Sequence, residues 1–282
     1  MIGSQTWHQC QQLNVMRILP LFILIILVSC NASKAPADQN WTLSWSDEFD
    51  YTGLPDSTKW DYDSGGHGWG NNELQYYTDS DIRNVEVNNG TLKLRALREK
   101  TGGKDYSSAR MVTRGKADFT YGKIEISAKL PEGRGLWPAL WMLGNNIETV
   151  DWPDCGEIDI MEHVGYEKDS IFGTIHTKAY NHVIGTQKMK KIFIKDPYGS
   201  FNRYSIEWTP EHMKFFLNDT LYNEIKNEKK TAAEWPFDSP FYLLMNIAVG
   251  GNLGGQHGVD TTVFPATMEV DYVRVYNQTK DQ

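Results

Sequence analysis

The chain has 282 residues, 23% of them charged and 40% hydrophobic, an ordinary globular balance that excludes disorder, collagen and a polytopic membrane protein. The formal net charge is −8, and Arg17 is the only charged residue in 1–29, so the remainder carries −9. Such a surface repels phosphate backbones and shows no basic stripe to offset this, which argues against nucleic acid as a partner.

Aromatic residues make up 12%, including 10 Trp. They fit either a β-rich core or a groove that stacks sugar rings, and composition does not separate the two. At about 150 residues per domain the length predicts roughly two domains, but all-β sandwiches of this size are often single. Residues 1–15 precede Met16 and read as an extension outside the native start. From Met16 the segment MRILPLFILIILVSC has one positive charge and an apolar stretch, Ile18–Val28, in the manner of a signal peptide over 16–29. That stretch is short for a bilayer span. Its end, Leu27-Val28-Ser29-Cys30, resembles a bacterial lipobox, with cleavage before Cys30 and lipidation of its thiol. The alternative is ordinary secretion with cleavage near Ala32–Ala35. Cys30 and the polar residues 31–40 then form a tether, and Cys155 is the one unmodified thiol of the mature chain. The expected location is the bacterial cell envelope, most simply the outer membrane, or the exterior if Cys30 is not lipidated.

Residues 41–277 read as one all-β domain, with 278–282 as a tail. Period-2 alternation marks strands at Thr91–Leu97, Lys123–Leu130 and Met268–Tyr276. Tyr204–Trp208 and Lys214–Leu217 add short apolar strands, and Asn218-Asp219 reads as a hairpin turn. Phe241–Val249 is a longer apolar run closed by Gly250-Gly251. Glu228–Glu234 fits one short helical turn, and no long amphipathic helix is evident. Many strands between Gly, Asn, Asp and Pro punctuation predict a two-sheet sandwich.

The segment with the most chemical content is Gly156-Glu157-Ile158-Asp159-Ile160-Met161-Glu162-His163. Glu157 and Asp159 share a strand face. Glu162, five residues from Glu157, returns to that face only if a β-bulge at Ile160–Met161 adds a residue. Three carboxylates in a row repel one another and are costly for stability alone. A charged outer face of an edge strand would carry interleaved Lys or Arg, and here the interleaved residues are apolar. The row suits glycoside hydrolysis, which needs an ionised carboxylate and a protonated carboxyl across a sugar bond. Neighbouring negative charge raises the pKa of one member.

GEIDIME matches the Glu-x-Asp-x-x-Glu signature, and the chain resembles glycoside hydrolase family 16. The resemblance extends over most of Trp41–Tyr276. It includes WSDEFD at 45–50, GGHGWGNNELQYYT at 65–78, SARMVTRGKADFTYGKIEISAKLP at 108–131 and GLWPALWMLG at 135–144. GTIHT at 173–177, NIAVGGN at 246–252 and VDYVRVY at 270–276 complete the series in the family's order. The bulged acid spacing and GWGNNELQYYT look like the laminarinase branch, the endo-β-1,3-glucanases. The resemblance implies a β-jelly roll of two curved antiparallel sheets, concanavalin A-like, with a concave substrate cleft. It implies Glu157 as nucleophile, Glu162 as general acid/base and Asp159 as the helper that tunes them.

Sugar-binding candidates follow from the same resemblance. Trp137 and Trp141 are four apart and share a strand face, where they serve as stacking platforms or as core residues needing indole N–H partners. Arg110 and Asn71 match positions that hydrogen-bond sugar hydroxyls; otherwise they suggest a surface salt bridge and an Asx-turn. His176 resembles the histidine lining the cleft near the acid/base. His163 points to the other face and reads as structural. Trp69 and Trp152 lie in expected cleft loops. Two departures stand out: Leu253 replaces a Trp in many laminarinases, and GTIHT lacks the aromatic that often follows the histidine. Family members frequently hold one structural Ca²⁺, and Glu48, Gly90 and Asp271 match its ligands; oxygen donors suit that ion. No catalytic cofactor or metal is implied.

The leading expectation is a monomeric, lipid-anchored, retaining hydrolase of internal β-1,3-glucosidic bonds in laminarin-like β-glucans. The alternatives are action on mixed-linkage β-1,3/1,4-glucan or a marine galactan, or a non-catalytic glucan-binding surface protein. The last could lose its acids without penalty, yet all three are present.

Overall fold

The structure is a computed structural model in which residues 41–279 are described. The readings on the signal segment, Cys30, the tether and residues 280–282 fall outside that range. The strands, in chain order, begin with β1 (Trp41–Asp47), β2 (Asp61–Tyr62), β3 (Gln75–Tyr77), β4 (Val85–Asn88), β5 (Thr91–Ala96) and β6 (Tyr106–Ser108). Next come β7 (Arg110–Val112), β8 (Gly122–Lys129), β9 (Leu136–Gly144), β10 (Glu157–Glu162), β11 (Ser170–His176) and β12 (Lys188–Phe193). The last are β13 (Asn202–Trp208), β14 (His212–Leu217), β15 (Thr220–Lys226), β16 (Phe241–Val249) and β17 (Ala266–Gln278). No α-helix occurs among the described residues.

Two antiparallel sheets form the sandwich. One has eight strands in the order β15-β14-β13-β8-β17-β5-β4, with β1 also paired to β17; the other has seven, β12-β11-β10-β9-β16-β7-β2. The long β17 gives one edge to β5 along Ala266–Val270 and then to β1 along Val273–Gln278, which ties the start of the domain to its end. A short parallel pair, β3 and β6, lies apart from both sheets and was not anticipated. The apolar faces close on one main core. Its contributors include Ile124, Ile126, Ile158, Met161, Phe215, Leu243 and Val273, all fully buried.

Local features follow the residues that build them. Asn218 and Asp219 have φ of 48° and 71°, the left-handed pair of a two-residue hairpin, and they join β14 to β15 as expected. Around Thr231 the chain makes one turn. Thr231 and Glu234 cap it reciprocally, the Thr231 hydroxyl accepting from Ala233 N–H and the Glu234 carboxylate accepting from Thr231 N–H.

The bulge lies on β10. Asp159 pairs with Trp141 and Met161 with Leu140 on β9, so Ile160 is the added residue. Ile160 and Met161 both enter the core, at 1% and 0% exposure. Two successive residues pointing inward shift the alternation by one and return Glu162 to the face of Glu157 and Asp159. Just past this strand, a Cβ on Gly165 would stand 1.7 Å from the Gly133 carbonyl oxygen. Only glycine permits that approach, which packs the turn after β10 onto the turn before β9.

Candidate active site

The bulged strand sits inside its sheet, with β9 on one side and β11 on the other. Its three acids line a cleft of about 400 Å³ that crosses the sheet from the β2–β3 loop to the β11–β12 loop. Each carboxyl has its own support. Trp152 donates its indole N–H to Glu157 Oε2 at 3.0 Å, and Trp137 donates to Glu162 Oε1 at 3.0 Å. His176, opposite Glu157 in register, brings Nε2 to 3.4 Å from Asp159 Oδ2 and 3.7 Å from Glu157 Oε1.

All three acids are pushed above the ordinary carboxylate range. For Glu157 the causes are burial first and then the Asp159 charge, with His176 opposing; the result is about 8. Burial also leads for Asp159, followed by the Glu162 charge, and burial leads for Glu162, partly offset by His176 and the Trp137 N–H. Asp159 and Glu162 raise each other's proton affinity as a pair, while Glu157 is raised on its own account. At neutral pH the cluster retains a proton.

The walls are aromatic. Trp137 and Trp141 both face the cleft, in keeping with their spacing, and both indole N–H groups are satisfied. Trp141 donates to Asn246 Oδ1 at 2.8 Å, and Asn246 Nδ2 donates to the Tyr77 hydroxyl at 2.9 Å. Tyr77 in turn donates to Glu73 Oε2 at 3.1 Å. Arg110 is largely buried and not on the outer surface: its guanidinium lies between Trp69 and Trp141, 4.6 and 4.7 Å from the ring centres. Asp63 accepts from Arg110 Nε at 3.1 Å and from Arg114 at 2.5 Å, which fixes the cation between the rings. Asn71 lines the same cleft, its carbonyl accepting from Asn252 N–H at 2.7 Å.

His176 is buried beside the cleft acids, nearest Asp159 and Glu157 and close enough to Glu162 to offset part of the effect of its burial. His163 is structural, as expected: it is fully buried between the Ser170 carbonyl and the Tyr198 hydroxyl. Cys155 is buried, its thiol pushed up to about 12 by burial and the Glu157 charge, and so inert. Sequence reasoning missed His182, whose ring stands 5.2 Å from that of His176. It also missed Asp63 and Asn246. Asn246 is the one polar residue within the apolar run of β16, which is a usable signal. Asp63 carried none.

The expected calcium ligands are apart from the cleft. Gly90 turns β4 into β5 beside Val270, and Glu48 follows Asp47, the partner of Val273, so Asp271 falls between them by register. Glu48 is held by Arg274, with bonds of 3.0 Å to Oε1 and 2.7 Å to Oε2, and Asp271 accepts from Ser127. The donor set fits a hard cation in kind. Among the described residues, the group of three or more His, Cys, Asp and Glu donors close enough to share an ion is Glu157, Asp159 and His176.

Comparison with known proteins agrees with this geometry. The family model for glycosyl hydrolases family 16 matches residues 69–274. A β-glucanase of Rhodothermus marinus is 54% identical over 268 residues, covering 90% of this chain and 93% of the relative. The structure of the Rhodothermus marinus laminarinase superposes with a TM-score of 0.84 at 55% identity, covering 85% of this chain and 98% of that one. SCLam, a non-specific endo-β-1,3(4)-glucanase, superposes with a TM-score of 0.82 at 47% identity, covering 86% and 93%. With the family model matching most of the domain and relatives of this identity sharing the sandwich, the chain belongs to glycosyl hydrolase family 16.

Proposed function

We propose that the protein is a retaining endo-hydrolase of internal β-1,3-glucosidic bonds in laminarin-like β-glucans, with Glu157 as nucleophile, Glu162 as acid/base and Asp159 as their electrostatic partner. The observation that carries this reading is the bulge in β10, which gathers three carboxyls on the floor of an aromatic-walled cleft. Laminarinase and β-glucanase relatives at 54–55% identity support the substrate class. Glu157 attacks the anomeric carbon while Glu162 gives its proton to the departing glycosidic oxygen. Water, deprotonated by Glu162, then opens the glycosyl-enzyme, and two inversions return the β-anomer. Trp137 and Trp141 offer ring faces to sugars because their N–H groups are already engaged. Arg110, Asn71 and His176 supply polar contacts around them. No cofactor takes part in these steps. A second reading, cleavage of mixed-linkage glucan, draws on SCLam, whose described activity is non-specific.

Two finer proposals accompany this. A calcium ion at Glu48, Gly90 and Asp271 would stabilise the edge where β1, β5 and β17 meet. The Leu27–Cys30 motif supports a lipid anchor at Cys30, with residues 31–40 as its tether, on a monomeric enzyme.

Glu157→Gln should lower laminarin hydrolysis roughly 10³-fold or more while leaving glucan binding largely intact. Early products of the wild type followed by proton NMR should be β-anomers; α-anomers would remove Glu157 as nucleophile. Laminarin and lichenan assayed side by side separate the two substrate readings. The same substitution tests the electrostatics. An unfolded glutamate titrates near about 4.3, whereas Glu157 is raised to about 8. The folded chain therefore binds this proton more tightly, and the stability it contributes is full at low pH and lost as pH rises toward about 8. Glu157→Gln should melt above the wild type at high pH, with the gap closing toward about pH 4; a gap independent of pH contradicts the assignment. Removing calcium with EGTA should lower the melting temperature by about 2–4 °C for each kcal/mol of linkage, and an unchanged melt refutes the ion. Mass spectrometry of the mature N-terminus should find an acylated Cys30; an unmodified thiol there excludes the anchor.

A further inference from the structure

We infer that Glu157, Asp159 and His176 form a binding site for a divalent cation of the zinc type at the floor of the cleft. Their donor atoms all lie within 4.8 Å of one another. Donors about 2.1 Å from zinc at the tetrahedral angle stand about 3.4 Å apart. His176 Nε2 is 3.4 Å from Asp159 Oδ2 and 3.7 Å from Glu157 Oε1, so two edges of that tetrahedron already exist. Glu157 and Asp159 both line the cleft, from which a water or another ligand can complete the set.

The free valences point the right way. Trp152 occupies Glu157 Oε2, which leaves Oε1 toward the histidine. Asp159 is 3% exposed, and its Oδ2, the oxygen facing His176, is buried without a hydrogen-bond partner. A buried carboxyl oxygen in that state gains from a cation that displaces the cluster's proton and pairs with it. One imidazole nitrogen with two carboxylate oxygens is a zinc-type donor set, unlike the six to eight oxygens that calcium takes.

The site is not built for a resident ion. A metal-bound histidine ordinarily hands its second ring N–H to an acceptor that fixes the ring and raises its basicity. His176 Nδ1 is buried with no such partner. Affinity is therefore moderate, and the ion comes and goes with its concentration. Because Glu157 and Asp159 are two of the three cleft acids, a bound ion withholds them from a glycan, and zinc acts as a reversible block on the cleft.

The test is calorimetric titration of ZnCl₂ into the untagged, calcium-saturated full chain, with Co²⁺ absorption as a reporter of tetrahedral coordination. The expected result is one site in the micromolar range, a visible Co²⁺ band that Zn²⁺ displaces, and at least about tenfold weaker binding in His176→Gln. Asp159→Asn is the second variant should His176→Gln not fold, and the same loss is expected there. Absence of binding up to millimolar zinc overturns the site, as does wild-type affinity in whichever of the two variants folds. Neither readout involves substrate turnover, so the result stands apart from the proposed glucanase activity.

Discussion

Everything at the cleft depends on holding three carboxyls together against their mutual repulsion. Two full charges at 4.8 Å, the outer limit for the Glu157 and Asp159 donor atoms, repel by roughly 3–4 kcal/mol at an effective dielectric near 20. A single hydrogen bond to a charged group offsets about 1.5–3 kcal/mol. The indole N–H groups on Glu157 and Glu162 therefore position the acids without letting all of them ionise. The cluster keeps a proton, and that retained proton is what a general acid at neutral pH requires. The bulge is the backbone feature that creates this situation. Were Ile160 and Met161 in regular alternation instead of bulged, Glu162 would face the core and leave Glu157 and Asp159 without their third carboxyl.

The tryptophans answer both readings of the aromatic content. Trp60 and Trp208 are buried in the sandwich, and Trp235 packs against Phe237 there. Trp69, Trp137, Trp141 and Trp152 line the cleft. In the cleft the polar edge of each ring is engaged by protein: Trp137 and Trp152 by carboxyls of β10, Trp141 by Asn246 and Trp69 by the Gly65 carbonyl. A ring tethered at its edge keeps one orientation and presents its face. Arg110 between Trp69 and Trp141 adds a cation–π contact on each side, so one wall is braced before any ligand arrives.

The sandwich and the acids were legible because both rest on alternation and its single interruption. A strand with one buried face, such as β5, alternates visibly, and in β10 the only way to reconcile three acids with one face was an added residue. Strand β12 was not legible. It is a Lys-rich edge strand, KMKKIF, mostly exposed, whose charge discourages pairing with another sheet edge and also erases the period-2 signal. The parallel β3–β6 pair spans three residues a side and has no pattern long enough to read. Asp63 lies 47 residues from Arg110, and only the tertiary fold brings the two together, while His182 returns to His176 through the loop after β11, whose path has no readable pattern.

The position of β10 within its sheet explains why the cluster is not on an edge. An interior strand receives support from both flanks. Asp159 has Trp141 on one side and Thr174 on the other, and Glu157 has Leu143 and His176. Glu162 faces Ala139, whose small side chain leaves the Trp137 indole free to reach its carboxyl. An edge strand would lose one of these flanks, and with it either the indole on Glu162 or the imidazole beside Glu157 and Asp159. It would also expose the acids to water, lowering their pKa values toward the ordinary range and releasing the retained proton. Burial within the sheet thus raises the proton affinity, and strands on both sides limit the strain of doing so. The acids can be neither moved outward nor stripped of one neighbour without losing the protonation state that the chemistry needs.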